Sequence, residues 1–241
     1  MSQIVISLGG SLVCPDGVDA TYLGMFKDMI VKQSAKSSFY IVVGGGKVAR
    51  QYIAAVKAIS PDSSNEELDK VGIAAGLLNS QLVLSAFGNN AYHELARDYN
   101  TLPTRVLAQA IWSEETSGGP KHKIFINGSY IPGRSSDSIA VNVAMARGVD
   151  TVINLTNVDC LYDSDPKTNL GARKIERISW KQYSAMIGDS WEPGANYPFD
   201  PVASRTASEA GLKVIITHGK NLDNLERIIE GESNFQGTII K

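Results

Sequence analysis

The chain has 241 residues, 43% of them hydrophobic and 20% charged, enough to bury the core of one large α/β domain or two small ones. A net charge of −2 gives no overall electrostatic case for nucleic acid or a membrane surface as a partner, so any anion site has to be local. The two cysteines, Cys14 and Cys160, have no metal or redox spacing; with no bilayer-length apolar run and no signal-peptide pattern read at Met1, the expectation is a cytoplasmic protein.

Residues 3–8 predict a buried strand, ended by Gly9-Gly10-Ser11. Cys14-Pro15-Asp16-Gly17 is turn chemistry, and Asp19 caps a predicted helix through about Lys32 with Leu23, Phe26, Met29 and Ile30 on one face. A strand at 39–43 runs into Gly44-Gly45-Gly46-Lys47 and a helix to about Ile59. A loop follows, then a long helix from Glu66 to about Phe87, apolar nearly all round but interrupted by Asn79, Ser80 and Gln81; such a helix is buried on several sides or lies at a subunit contact. Residues 91–112 fit helix or strand equally, and 114–121 read as a surface loop. Beyond it come a strand at 123–126, a Gly/Pro/Ser-rich loop at 128–136, a helix at 137–147, a strand at 150–155 and a long loop at 156–170. Helices at 179–188, 201–210 and 221–230 and strands at 213–217 and 237–240 complete the chain. Strands alternating with helices predict a mostly parallel sheet covered on both faces.

Four strand ends carry phosphate-compatible loops, and in open α/β sheets ligands collect outside the carboxyl ends of the strands. The most informative is Tyr40 to Arg50. There a β-branched strand stops at three glycines, and a helix begins with Lys47 and Arg50 in its first turns. The helix N-terminus carries unpaired N–H groups and partial positive charge, glycine lets the backbone approach an anion, and arginine grips two oxygens at once. Gly9-Gly10-Ser11 suits backbone contact with a polyphosphate. Gly128 to Asp137 is a small-residue loop running into a helix capped by Ser136, and Thr156 to Pro166 is rich in acceptors and includes Tyr162.

Together and in order, these stretches resemble the amino-acid kinase superfamily and, within it, the archaeal-type uridylate (UMP) kinases. The resemblance rests on V-V-G-G-G-K-V-A-R at 42–50, P-G-R-S-S-D at 132–137, T-N-V-D-C-L-Y-D-S-D-P at 156–166 and D-P-V-A-S at 200–204. Asp69 to Ile73 and Leu78-Asn79 also fit the family's long central helix. It implies a three-layer αβα sandwich with a mostly parallel central sheet. One domain would span 1–241, its acceptor-binding part about 1–150 and its ATP-binding part about 151–241. It implies ATP and UMP as substrates, Mg²⁺ with the ATP, and a homohexamer.

By the same resemblance Gly10, Ser11 and Gly46 face the ATP phosphates, and Thr156, Asn157, Tyr162 and Asp165 hold the adenosine. Gly44, Gly45 and Asp69 belong to the UMP site, and Arg50 is assigned to both nucleotides. Gly128, Ser129, Tyr130, Ile131, Pro132, Gly133 and Arg134 line the uridine pocket. Asp137 orders the transfer centre, and no protein metal ligand is assigned. Many superfamily members have a lysine where this chain has Ser7, which leaves Lys47 and Mg²⁺ as candidates for the missing cation. Gly128-Ser129-Tyr130 stands for Gly-Gly-Thr, Arg134 for His and Cys160 for Gly.

Transfer to UMP needs no general base, because the attacking phosphate oxygen is already an anion. Positioning and charge stabilisation are the whole task. His93, His122 and His218 are scattered, in keeping with that. Three other readings stay open: a different small phosphate or carboxylate acceptor on the same fold, a non-catalytic nucleotide-binding protein, and a dinucleotide-dependent oxidoreductase. Against the last, the glycine fingerprint follows the second predicted strand, and no acidic strand end lies about 20 residues on.

Overall fold

The computed structural model describes residues 2–95, 122–128, 132–164, 168–188, 190 and 197–241. The chain runs β1 (Ser2–Leu8), a helical turn α1 (Gly10–Val13), α2 (Ala20–Gln33), β2 (Ser37–Val43), α3 (Gly46–Ile59) and α4 (Asn65–Phe87). It continues through β3 (Ile124–Asn127), α5 (Ser136–Arg147), β4 (Thr151–Thr156), β5 (Leu161–Tyr162), β6 (Lys174–Ile175) and β7 (Arg177–Ile178). It ends with α6 (Trp180–Ile187), α7 (Pro201–Glu209), β8 (Lys213–His218), α8 (Leu222–Ile229) and β9 (Thr238–Ile240).

Seven of these strands form one sheet in the order β3-β2-β1-β4-β8-β9-β7. Every neighbouring pair is parallel except β8 with β9. Parallel strands need helical crossovers, so both faces are covered and the strands are apolar on both sides. The two-residue period sorts them. Ile4, Ile6 and Leu8 of β1 and Phe39, Ile41 and Val43 of β2 join α2, α4 and α8 in one core. Val5, Tyr40 and Val42 face the other way, against α5, α6 and α7. This is the expected αβα sandwich. Phe26 of α2 and Phe87 of α4 are buried edge to face at 6.3 Å, and each such ring contributes about 2–3 kcal/mol by removing apolar area from water.

On the α5 side the strands turn polar as they reach their C-terminal ends. Ser7 of β1 and Asn154 of β4 are register partners, and both are buried. A buried hydroxyl and amide side by side need polar partners above them, and α5 begins there.

α4 corrects one expectation. Residues Asn65–Asn90 do have the length and apolar composition of a membrane-crossing helix. Yet the helix starts with a Ser64–Glu67 capping box, buries Leu68, Val83, Leu84 and Phe87, and hydrogen-bonds Asn79 and Ser80 within the protein. It packs on α3, α2, β2 and β3 along one face and leaves the other side partly exposed. The loop expected at 156–170 contains β5, which pairs antiparallel with β6, and β7 forms an edge strand that was not expected. Two-residue strands are too short to show a period. Trp180 is buried and donates from Nε1 to the Leu212 carbonyl at 3.0 Å. Most of the ambiguous stretch 91–112, the loop at 114–121 and residues 194–196 lie outside the described residues.

Candidate active site

Because β2, β1 and β4 are neighbours, their C-terminal loops lie side by side on one rim. A cavity of roughly 230 Å³ runs across them. Gly10 and Ser11, Gly44 to Gly46, and Thr156 with Asn157 form its successive walls, and Asp69 of α4 and Asp137 of α5 close it. The structure therefore gathers residues assigned to both nucleotides around one space.

The glycine loops touch so closely that only glycine fits. A Cβ on Gly46, whose φ is +59°, would come within 2.2 Å of Gly10 C and Ser11 N. A Cβ on Gly10 would meet the Gly44 carbonyl at 2.1 Å. The three glycines thus lock the loop after β1 to the loop after β2. Gly45 is the N-cap of α3 and has no side chain to satisfy the first-turn N–H groups. That uncapped helix start lies on the cavity wall, with its dipole favouring an anion.

Arg50, one turn into α3, lines the same cavity and donates from Nη2 to Ser11 Oγ at 3.0 Å. Burial pushes its pKa below the usual arginine value, so the guanidinium is short of water and suited to a charged partner. Arg134 also lines the cavity. Lys47 is placed elsewhere: its ammonium is paired with the exposed carboxylate of Asp16, and it is not among the described residues of the wall. An ammonium on a flexible stem follows its nearest counter-charge, and Asp16 is that charge here.

The floor is acidic. Ser7 Oγ donates to Asp137 Oδ1 at 2.8 Å, and the Asp200 N–H reaches Asp137 Oδ2 at 3.4 Å. Asp200 is the N-cap of α7, accepting from the amides of Val202 and Ala203, with Ser135 donating to its other oxygen. Scarcity of water and then the neighbouring Asp200 charge push the Asp137 carboxyl up to about 7, against a smaller lowering by the Ser7 hydroxyl. Burial raises Asp200 as well, opposed by its hydrogen bonds from Ser135, Ala203 and Val202. Two carboxylates held together this way carry negative charge that a cation beside them would relieve. Ser7 itself is buried and holds Asp137 from β1.

At the other end Asp69 Oδ2 accepts from the Gly133 N–H at 2.6 Å, joining α4 to the loop before α5. Burial raises the Asp69 pKa more than this bond lowers it. Gly128 is buried directly after β3, while Pro132 and Gly133 are exposed. Tyr162 lies in β5, away from the cavity wall. Ser129, Tyr130, Ile131 and Asp165 lie outside the described residues. Sequence reading did not assign roles to Asp200, Ser135, Asn154 or Asn79. Asp200-Pro201 carries a helix-start signature, and Asn79 interrupts an apolar helix; those are the signals that pointed to them.

Among the described residues, no group of three or more His, Cys, Asp or Glu side chains forms a metal cluster.

The profile of the amino acid kinase family matches residues 2–218. A uridylate kinase from Methanospirillum hungatei is 31% identical over 241 residues, covering 100% of this chain and 95% of that protein. One from Thermococcus onnurineus is 32% identical, covering 99% of each. Among solved structures, uridylate kinase from Archaeoglobus fulgidus superposes with a TM-score of 0.75 at 28% identity, covering 100% of both chains. A UMP kinase from Bacillus anthracis shares the fold, with a TM-score of 0.74 at 18% identity.

Proposed function

The chain belongs to the amino acid kinase family, and from that premise we propose that it transfers the γ-phosphoryl group of ATP to UMP, giving UDP and ADP. The observation that carries this reading is the cavity in which the interlocked loops after β1 and β2 meet the Arg50 guanidinium. Two phosphate groups brought to that junction would lie end to end. ATP occupies the side of Ser11, Thr156 and Asn157, and UMP the side of Gly44, Gly45, Asp69 and Gly133.

Most of the work is positional. The uncapped start of α3 supplies N–H donors fixed before substrate arrives, so no reorganisation is needed as charge develops. Arg50 offsets the repulsion between donor and acceptor phosphates. Its bond to Ser11 ties the two halves of the site together. Asp69 turns from the Gly133 amide to the UMP ribose hydroxyls. Mg²⁺ carried in with ATP suits the Asp137–Asp200 floor, because that ion takes one or two carboxylates alongside phosphate oxygens, and when bound it neutralises phosphate charge. Ser7 and the α7 amides hold those two carboxylates in place.

Arg50, rather than Lys47, is then the protein cation of the transfer. Lys47→Ala removes only an exposed ion pair with Asp16, so kcat is expected to stay within about threefold of wild type. A hundredfold loss in a steady-state assay would return Lys47 to the reacting phosphates.

The broader reading includes the cytoplasm as location and self-association as a hexamer, with the partly exposed side of α4, including Leu78, as one contact. A coupled assay of ADP release with UMP, CMP, AMP, isopentenyl phosphate and amino acids tests the activity. Mg²⁺-dependent turnover is expected with UMP above the rest. Turnover with another acceptor and none with UMP would overturn the acceptor assignment.

A further inference from the structure

We propose that Asn79 is a positioning residue that aims the amides of the glycine loop at the substrate phosphate; this rests on the reading that the loop binds phosphate. Asn79 sits mid-way along α4 and is 4% exposed. Its Nδ2 donates to two successive loop carbonyls, Gly44 O at 2.9 Å and Gly45 O at 3.2 Å. A peptide unit is planar and trans, so its N–H points opposite to its C=O. Drawing the Gly44 and Gly45 carbonyls toward Asn79 therefore turns the N–H groups of Gly45 and Gly46 to the opposite side. The glycines form the cavity wall on that side, and Asn79 lies behind them.

The reach depends on α4 having no side chains in the way. A Cβ on Gly45 would stand 3.1 Å from the Gly72 carbonyl and 3.4 Å from the Gly76 nitrogen. The loop therefore rests on the bare backbone of α4, close enough for the short Asn79 carboxamide. Glycine itself resists little rotation, so these two bonds add, from the α4 side, to those the loop already has from the Gly44 N–H to the Leu8 carbonyl at 3.0 Å and from the Ala49 N–H to the Gly45 carbonyl at 3.3 Å. The fixed geometry matters most in the transition state, where preorganised donors outweigh mobile ones.

Asn79→Leu keeps the volume and removes the donor. It is expected to lower kcat roughly ten- to a hundredfold while the KM for UMP changes less than about threefold, since Arg50 remains. Val83→Ala, one turn further along α4 and buried in the apolar core without a polar group to offer the loop, serves as the control: its melting temperature falls and its kcat stays within about twofold. Inorganic phosphate titrated into ¹⁵N-labelled protein gives a readout that needs neither turnover nor a variant. In the wild type the Asn79 side-chain amide is expected to shift together with the Gly45 and Gly46 amides. Asn79→Leu is expected to lose that glycine response. An Asn79 resonance unmoved while the glycines shift, or Asn79→Leu with kcat within about twofold of wild type, overturns the proposal. If wild type does not turn over UMP, the kinase reading fails by itself and the phosphate titration alone decides the role of Asn79.

Discussion

Replacing Arg50 with alanine is expected to raise the KM for UMP by about a hundredfold while the KM for ATP changes less than about fivefold. A hydrogen bond to a charged group contributes about 1.5–3 kcal/mol, and 1.4 kcal/mol is a factor of ten, so losing one or two phosphate contacts gives an effect of this size. Two features of Arg50 favour the upper part of that range. It is half-buried, so the Coulomb attraction is less screened than at the surface, and its pKa is lowered by loss of water that a bound phosphate would replace. It also leans on Ser11, which the proposed reading puts on the ATP side. Steady-state kinetics with each substrate varied in turn separates the two roles. Equal rises in both KM values would make Arg50 a shared clamp, and no change in either would remove it from the phosphates.

Asp137→Asn is expected to lower kcat about a thousandfold and yet to make the ligand-free protein more stable at pH 8. On the proposed reading, the loss of activity follows from removing a charge that would hold a cation at the transferring group. The gain in stability follows from linkage. The Asp137 pKa is raised in the fold, to about 7 from an unfolded value of 3.8. Between those values the folded state binds the extra proton, so the Asp137 contribution to stability falls as pH rises through that window and levels off above pH 7. The destabilisation at pH 8 is on the order of 1–3 kcal/mol, discounting for the edge that Asp137 keeps on the cavity. Asparagine cannot ionise but can still accept from Ser7, so the difference in stability between variant and wild type grows from pH 4 to pH 8. Urea unfolding of metal-free protein across that range measures it. A difference independent of pH would mean that Asp137 is not held at a raised pKa.

Much of the fold was legible because parallel strands bury both faces. The runs at 3–8 and 39–43 could only be interior strands, and their alternation assigns each residue to one of the two cores. The β5–β6 pair and β7 were not legible, since two residues carry no period and their pairing is set by tertiary contact. At the site, glycine announced the loops because the fold needs its lack of a Cβ at Gly10 and Gly46. The acidic floor could not be read in the same way. Asp137 and Asp200 are 63 residues apart, and only the parallel order of the sheet brings α5 and α7 together above Ser7. Lys47 looked like a phosphate ligand by its place in the first turn of α3, but its side chain runs out to Asp16. Asn79 was visible as a polar residue in an apolar helix and as part of the resemblance at Leu78-Asn79, but its two carbonyl partners are a property of the packed loop.

The central claim is that the donor and acceptor phosphates meet where the loops after β1 and β2 interlock. Its most direct test follows the label from γ-³²P-ATP in the presence of UMP and Mg²⁺. The expected result is label in the β-phosphate of UDP, one for each ADP released, with transfer falling in Arg50→Ala and nearly abolished in Asp137→Asn. Label released only as inorganic phosphate, or transfer undiminished in both variants, would contradict it.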